Sequence, residues 1–341
     1  MSDDQPGVWI DARVLPFPRS ISPEAQTVLR RLVGNDGVPL NSLHAMPAAD
    51  DHRAWLAVKA MVDRHYTSMA DTLGATLHSQ AKTIELEETT LHLATPTGAN
   101  NSDAAIIDIH GGAFVFGGGE ACRVSARSQA ESHSISCYGV DYRMPPDHAY
   151  PAALDDCMAT YRYVLEHHEA SRIAIIGRSA GGNLAAAMLL RARAEGLPFP
   201  AALVLLSPEA DLTESGDSFQ TNQMADVVLP RSLKETISLY AAGADLTHPY
   251  LSPLFGDLSG FPPTFLQSGT RDLFLSNAVR MHRALRYAGV PAELHVFEAM
   301  PHGGFMGGTP EDEEVVREIK QFVQQQLTRG RFANAPSVGG I

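Results

Sequence analysis

A chain of 341 residues with 44% apolar and 19% charged side chains is long enough to bury a sizeable core, as one large α/β domain or two small ones. Its composition excludes a disordered chain and a membrane bundle. The formal net charge of -13 argues against a nucleic-acid partner, which would need clustered Lys and Arg, and against strongly anionic substrates.

The stretch Met1 to Gly7 has neither the basic nor the apolar segment of a signal peptide, and no later run spans a bilayer, so a cytoplasmic protein without a membrane partner is expected. Ser22-Pro23 opens a helix, with serine as cap and proline in the first turn, whose apolar face is Ala25, Val28, Leu29, Leu32 and Val33. A second helix is predicted from about Ala49 to Leu73, with Trp55, Leu56, Val58, Met61, Val62, Tyr66 and Met69 on a broad apolar face that packs on the core or borders a pocket. From residue 83 the period changes, and 83–87, 91–95 and 104–109 read as strands.

The third strand runs into His110-Gly111-Gly112-Ala113-Phe114-Val115-Phe116-Gly117-Gly118-Gly119. A phosphate loop would need Gly-Lys-Ser/Thr, and this bend has no lysine. The better reading is a loop whose backbone N–H groups face a ligand oxygen. A helix near 123–132, a strand near 136–142, a proline-rich loop over 143–151 and a helix over 152–166 follow. Strands alternating with helices imply a parallel sheet.

Ile173-Ala174-Ile175-Ile176-Gly177-Arg178-Ser179-Ala180-Gly181-Gly182-Asn183, followed by the Ala/Leu run 184–190, reads as a buried strand, a tight turn and a helix packed close against that strand. The G-x-S-x-G spacing holds Ser179 at the tip of a strained elbow with its hydroxyl pointing outward. A free serine is a weak nucleophile, so a base and an oxyanion site must lie elsewhere in the chain. The strand 201–206 comes next. Residues 207–249 then leave the strand-helix rhythm, as an insertion with one helix near 231–241. The rhythm resumes with a strand at 264–267, a helix over 276–288, a strand at 293–297 and a helix after Thr309-Pro310 that carries Val315, Val316, Ile319, Phe322, Val323 and Leu327. Residues 330–341 read as a flexible tail.

Open α/β sheets bind ligands at the carboxyl ends of their strands, and Ser179, Asp272, His302 and His110 all follow such ends. The chain order Ser179, Asp272, His302 is that of nucleophile, acid and base in one class of serine hydrolases and differs from the two protease orders. Asp257, Asp211 and Glu209 compete for the acid's place, and a helix-capping role competes for Asp272. His110 suits a loop-shaping role better than that of a second base.

Four stretches make the chain resemble the microbial hormone-sensitive-lipase-like esterases, a branch of the α/β-hydrolases. They are His110-Gly111-Gly112-Ala113-Phe114, the run from Asp141 to Asp156, Gly177-Arg178-Ser179-Ala180-Gly181-Gly182, and Pro301-His302-Gly303. The resemblance covers roughly residues 85–327. It implies a mostly parallel eight-stranded sheet flanked by helices, with a helical cap from residues 1–80 and 208–250 over a catalytic domain of residues 81–207 and 251–329.

It further implies that Ser179 attacks an ester carbonyl, that His302 moves the proton and that Asp272 orients the imidazole. The backbone N–H groups of Gly112, Ala113 and Ala180 would hold the oxyanion, with Gly111 permitting the turn. Ala113 stands where a third glycine is frequent, Arg178 where an acidic residue is usual, and Glu209 where Trp is frequent. Arg178 and Glu209 form an ion pair, are unrelated charges, or face the pocket and select a polar acyl group. Phe114, Phe116, Phe219, Met224 and Phe274 are pocket walls or core.

The expected activity is hydrolysis of small neutral carboxylic esters. Lactones fall within the same chemistry, amides need only better protonation of the leaving group, and a non-hydrolytic receptor is the reading from a different class. No metal or organic cofactor is implied: Cys122, Cys137 and Cys157 offer neither a C-x-x-C pair nor a disulfide framework, and suit buried free thiols in a reducing compartment. Family members often pair through a sheet edge, which makes a homodimer the one macromolecular partner expected.

Overall fold

The computed structural model describes residues 7, 8, 10–98 and 103–333. In chain order its elements are α1 (Pro23–Arg31), α2 (His52–Gly74), β1 (Gln80–Leu86), β2 (Thr89–Thr95), β3 (Ala105–Ile109), α3 (Glu120–His133), β4 (Ser136–Asp141), α4 (Ala152–Leu165), β5 (Ile173–Arg178), α5 (Ala180–Ala194), β6 (Ala202–Leu206), α6 (Ser218–Thr221), α7 (Lys234–Ala241), β7 (Thr264–Gly269), α8 (Leu275–Tyr287), β8 (Ala292–Phe297) and α9 (Pro310–Ala333). The eight strands form one sheet in the order β1-β2-β4-β3-β5-β6-β7-β8. The hairpin β1–β2 is antiparallel and β2 meets β4 antiparallel, whereas every pair from β4 through β8 is parallel.

Central strands of such a sheet are covered on both faces, so they read as continuous apolar runs. All residues of β3, β6 and β7 are buried. Alternate residues nevertheless feed different layers. Ile107, Ile109, Ile175, Leu203 and Leu205 pack with the apolar faces of α4, α5 and α8. Ile106, Ala174, Ile176, Val204 and Phe265 pack with Ala126 and Ala130 of α3 and with Ile319, Phe322 and Val323 of α9. Asp108 departs furthest from this pattern: a buried carboxylate on β3, it accepts hydrogen bonds from Ser125 Oγ at 2.6 Å and Gln129 Nε2 at 3.4 Å.

The helices before the sheet pack over its carboxyl-end loops. Ala25 and Leu29 of α1 meet Ala299, Met300 and Phe305, which flank His302. Trp55 of α2 meets Val115, Phe116 and Leu239. The apolar face of α2 is narrower than predicted: Trp55, Val58, Val62 and Tyr66 form the packed stripe, while Leu56, Met61 and Met69 are exposed. The insertion between β6 and β7 holds two helices, α6 and α7, instead of the one predicted, because α6 is a single turn with no apolar period of its own. Helix α9 runs to Ala333, so residues 330–333 are helical where a tail was predicted. The rest of that predicted tail lies outside the described residues, as do residues 1–6 and 9 of the predicted leaderless start and cap. Among the described residues no helix is long and apolar enough to cross a membrane, and Cys122, Cys137 and Cys157 are free and buried.

Candidate active site

Ser179 is the residue between β5 and α5, with φ 55° and ψ -120°. This is a positive φ that side chains other than glycine's rarely adopt. Close packing on either side enforces it: a Cβ on Gly181 would lie 2.0 Å from the Ile109 carbonyl oxygen, so α5 begins directly against β3. The hydroxyl is thereby aimed at the loop after β8. His302 Nε2 lies 2.9 Å from Ser179 Oγ, and His302 Nδ1 lies 3.0 Å from Asp272 Oδ1. A carboxylate can only accept, so Nδ1–H donates to Asp272 and Nε2 accepts from the serine.

Asp272 has no exposed surface. Its other bonds come from Ser268 Oγ at 2.7 Å and the Phe274 N–H at 2.9 Å. Burial pushes its carboxyl up, but the charge and hydrogen bond of His302 together with these donors hold it below the ordinary carboxylate range. The ring of Phe274 stands edge-on to His302 with centroids 4.7 Å apart.

The glycine-rich bend lies against the same serine. A Cβ on Gly111 would meet Ser179 Cβ at 3.2 Å, so the bend is seated on the nucleophile's backbone. Gly112, Ala113 and Phe114 all take positive φ, at 116°, 51° and 64°. Among the described residues, the N–H groups of Gly112, Ala113 and Ala180 have no acceptor. Ala180 is the first residue of α5, where an N–H has no partner within the helix. His110 serves the loop: its Nδ1–H donates to the Gly111 carbonyl at 2.7 Å, its ring stacks on Tyr142 at 4.1 Å, and Tyr142 Oη donates to the His110 carbonyl at 3.0 Å. Burial lowers its pKa and keeps it neutral.

Other predicted residues lie elsewhere. Arg178 and Glu209 do not pair: Arg178 is exposed on the α3/α9 side of β5, whereas Glu209 is 1% exposed with both carboxylate oxygens unpartnered. Burial, and then the charge of Glu214, holds Glu209 well above the usual carboxylate range, so it is neutral. Asp211 bonds Arg280, Thr213 and Ser215, and Asp257 accepts from the Ser259 N–H. Phe114 stacks on Tyr240, Phe116 packs with Trp55, and Phe219 packs with Phe274; all three are core, and Met224 is exposed.

Sequence reasoning missed Asp226, a fully buried residue of the insertion, 76 positions from His302. Its carboxylate accepts from the backbone N–H groups of Val228, Leu229, Leu273 and His302. Burial, then the nearby charge of Asp272, raises its pKa to about 6, while His302 pulls it down. Among the described residues one set of metal-ligand types is also clustered, His92, Cys122 and Asp141 within 4.8 Å. Here Asp141 bonds His92 Nε2 and the Gly119 N–H, and burial pushes the Cys122 thiol up, so the cluster reads as a hydrogen-bond network at the start of α3.

A hydroxyl, an imidazole and a buried carboxylate in this line can move a proton off the serine and so produce a nucleophile beside unoccupied backbone donors. Residues 106–306 match the family described as the alpha/beta hydrolase fold. An acetyl-hydrolase of Streptomyces hygroscopicus is 33% identical over 206 residues, covering 60% of this chain and 69% of that protein. An esterase of Acinetobacter venetianus is 31% identical over 230 residues, covering 64% and 73%. Among solved structures, the esterase E25 superposes with a TM-score of 0.87 at 34% identity over 94% of this chain and 98% of that one. An esterase from the bacterial hormone-sensitive lipase family superposes with a TM-score of 0.76 at 31% identity over 90% and 99%.

Proposed function

Because the chain belongs to the alpha/beta hydrolase fold family, in its hormone-sensitive-lipase-like branch, and is a carboxylic ester hydrolase, we propose that it cleaves small neutral esters through an acyl-enzyme on Ser179. The line Ser179–His302–Asp272, with contacts of 2.9 and 3.0 Å, is the observation that carries this reading. Ser179 Oγ attacks the ester carbonyl as its proton passes to His302 Nε2. Asp272 holds the ring in the Nδ1–H tautomer and stabilises the imidazolium. The carbonyl oxygen, now negative, is received by the N–H groups of Gly112, Ala113 and Ala180.

His302 returns the proton to the departing alcohol, then takes one from the water that attacks the acyl-enzyme. The carboxylic acid leaves and Ser179 is restored. In this reading α1, α2 and the insertion with α6 and α7 form the cap that shapes the substrate space. The three unpaired, buried cysteines support a cytoplasmic setting.

A p-nitrophenyl ester series from acetate to long acyl chains, assayed on the native chain and Ser179→Ala, tests the proposal. Short-chain esters should turn over, and the variant should lose roughly 10³-fold or more in kcat. Folded native protein without turnover across the series, or a variant as fast as the native chain, overturns it.

A further inference from the structure

On the α3/α9 side of the sheet a cavity of about 280 Å³ opens beside the candidate active site. At interior packing density it holds a molecule of roughly ten heavy atoms. Ser132 and His133 of α3 form one wall, Met300 and Ile319 another, and the backbone of Gly303 and Gly304, directly after His302, completes it. Arg178, exposed, lines its mouth.

The one arginine lining this cavity makes no direct contact with a carboxylate. Among the described residues Arg178 has no hydrogen-bond or ion-pair partner, although it ends β5 one residue before Ser179. Two carboxylates stand beside it, and each is held by donors of its own: Asp108, which also feels the Arg178 charge, by Ser125 and Gln129, and Asp312 by the Phe305 N–H and Thr309 Oγ1. His133 is 3% exposed and its Nδ1 has no partner. A guanidinium with free donors at a recess of mixed lining, apolar at Met300, Val315 and Ile319 and with a buried unsatisfied imidazole in its wall, matches a ligand with a charged planar head and a short aliphatic tail. Side chains on β5 alternate between the two faces of the sheet, so this recess lies on the opposite side of the strand from α5 and is separate from the space above Ser179.

We propose that this cavity is a second ligand site that binds a short aliphatic monocarboxylate, its head held by the Arg178 guanidinium and its tail lying against Met300 and Ile319. A free carboxylate and the acid released by ester hydrolysis share this chemistry. Binding itself does not depend on the esterase reading, since it is measured without turnover.

The test is calorimetric titration of the full chain with sodium hexanoate at pH 7, and with hexanol as the uncharged control. Three proteins are compared: the native chain, Arg178→Gln and Val316→Trp, the last placing a bulky ring at an exposed position of the cavity wall. Both variants should bind hexanoate about tenfold or more weakly, hexanol should bind more weakly than hexanoate, and Val316→Trp, remote from Ser179 in sequence, should remain folded by circular dichroism. Undiminished hexanoate binding in both variants would place the ligand elsewhere and overturn the proposal, as would hexanol binding as tightly as hexanoate or a native chain that binds no hexanoate.

Discussion

Asp226 and Asp272 both reach His302, through different atoms. Asp272 accepts from the ring Nδ1–H, whereas Asp226 accepts from the backbone N–H of the same residue and from that of Leu273. Only the first contact sets the tautomer of the ring. Asp272→Asn should therefore lower kcat by roughly 10³- to 10⁴-fold, because an amide at this position favours the wrong tautomer. Asp226→Asn keeps the tautomer but loses acceptor capacity toward its backbone donors, which should cost about 1–3 kcal/mol of stability and far less in kcat. Urea unfolding together with steady-state kinetics on both variants separates the two roles. If folded Asp226→Asn lost as much kcat as Asp272→Asn, the division of labour argued here would fail.

The element that shapes the glycine-rich bend is α2, which joins it through polar as well as apolar contacts. Lys59 Nζ donates to the Val115 carbonyl at 2.7 Å and to Asp63 Oδ2 at 2.9 Å, and Asp63 Oδ1 accepts from the Gly117 N–H at 3.2 Å. These contacts grip the segment just after Ala113, while Trp55 packs on Val115 and Phe116. A helix outside the sheet thus bears on the direction of the backbone donors. Lys59→Met should leave substrate binding nearly unchanged and lower kcat by an amount equivalent to about 1–2 kcal/mol, roughly 5- to 30-fold. Separate kcat and KM values on p-nitrophenyl acetate provide the check. An unaltered kcat would mean that the bend keeps its shape through its own turns, in which Val115 and Phe116 donate to the Gly112 carbonyl.

Across the whole molecule, what was legible in the sequence was whatever burial writes into local patterns. The apolar run of β3, the glycine-flanked Ser179 and the strand-end positions of Asp272 and His302 each follow from residues within a few positions of one another. Illegible were the features that depend on tertiary approach: Asp226 reaching His302 from the insertion, Arg178 and Glu209 lying apart, and Phe114 stacking on Tyr240 instead of facing a pocket. His133 belongs to that second group and carries a consequence for the entire fold. It closes α3 within the layer between the sheet and α9, where burial, and then the charge of Lys320, lowers its pKa to about 4. In the unfolded chain an ordinary histidine titrates near 6.5. Between those values the unfolded state binds more protons than the folded one, so stability is full above about pH 6.5 and is lost as the pH falls toward about 4, by about 3 kcal/mol from this group. His133→Leu removes the titration while keeping an apolar side chain in a buried position. The difference in unfolding free energy between the variant and the native chain should be flat above about pH 6.5 and shift in the variant's favour by about 3 kcal/mol at about pH 4. Urea melts at intervals across that range would show it, and a difference that stays constant with pH would mean that His133 is already protonated in the folded state or exposed enough to titrate freely.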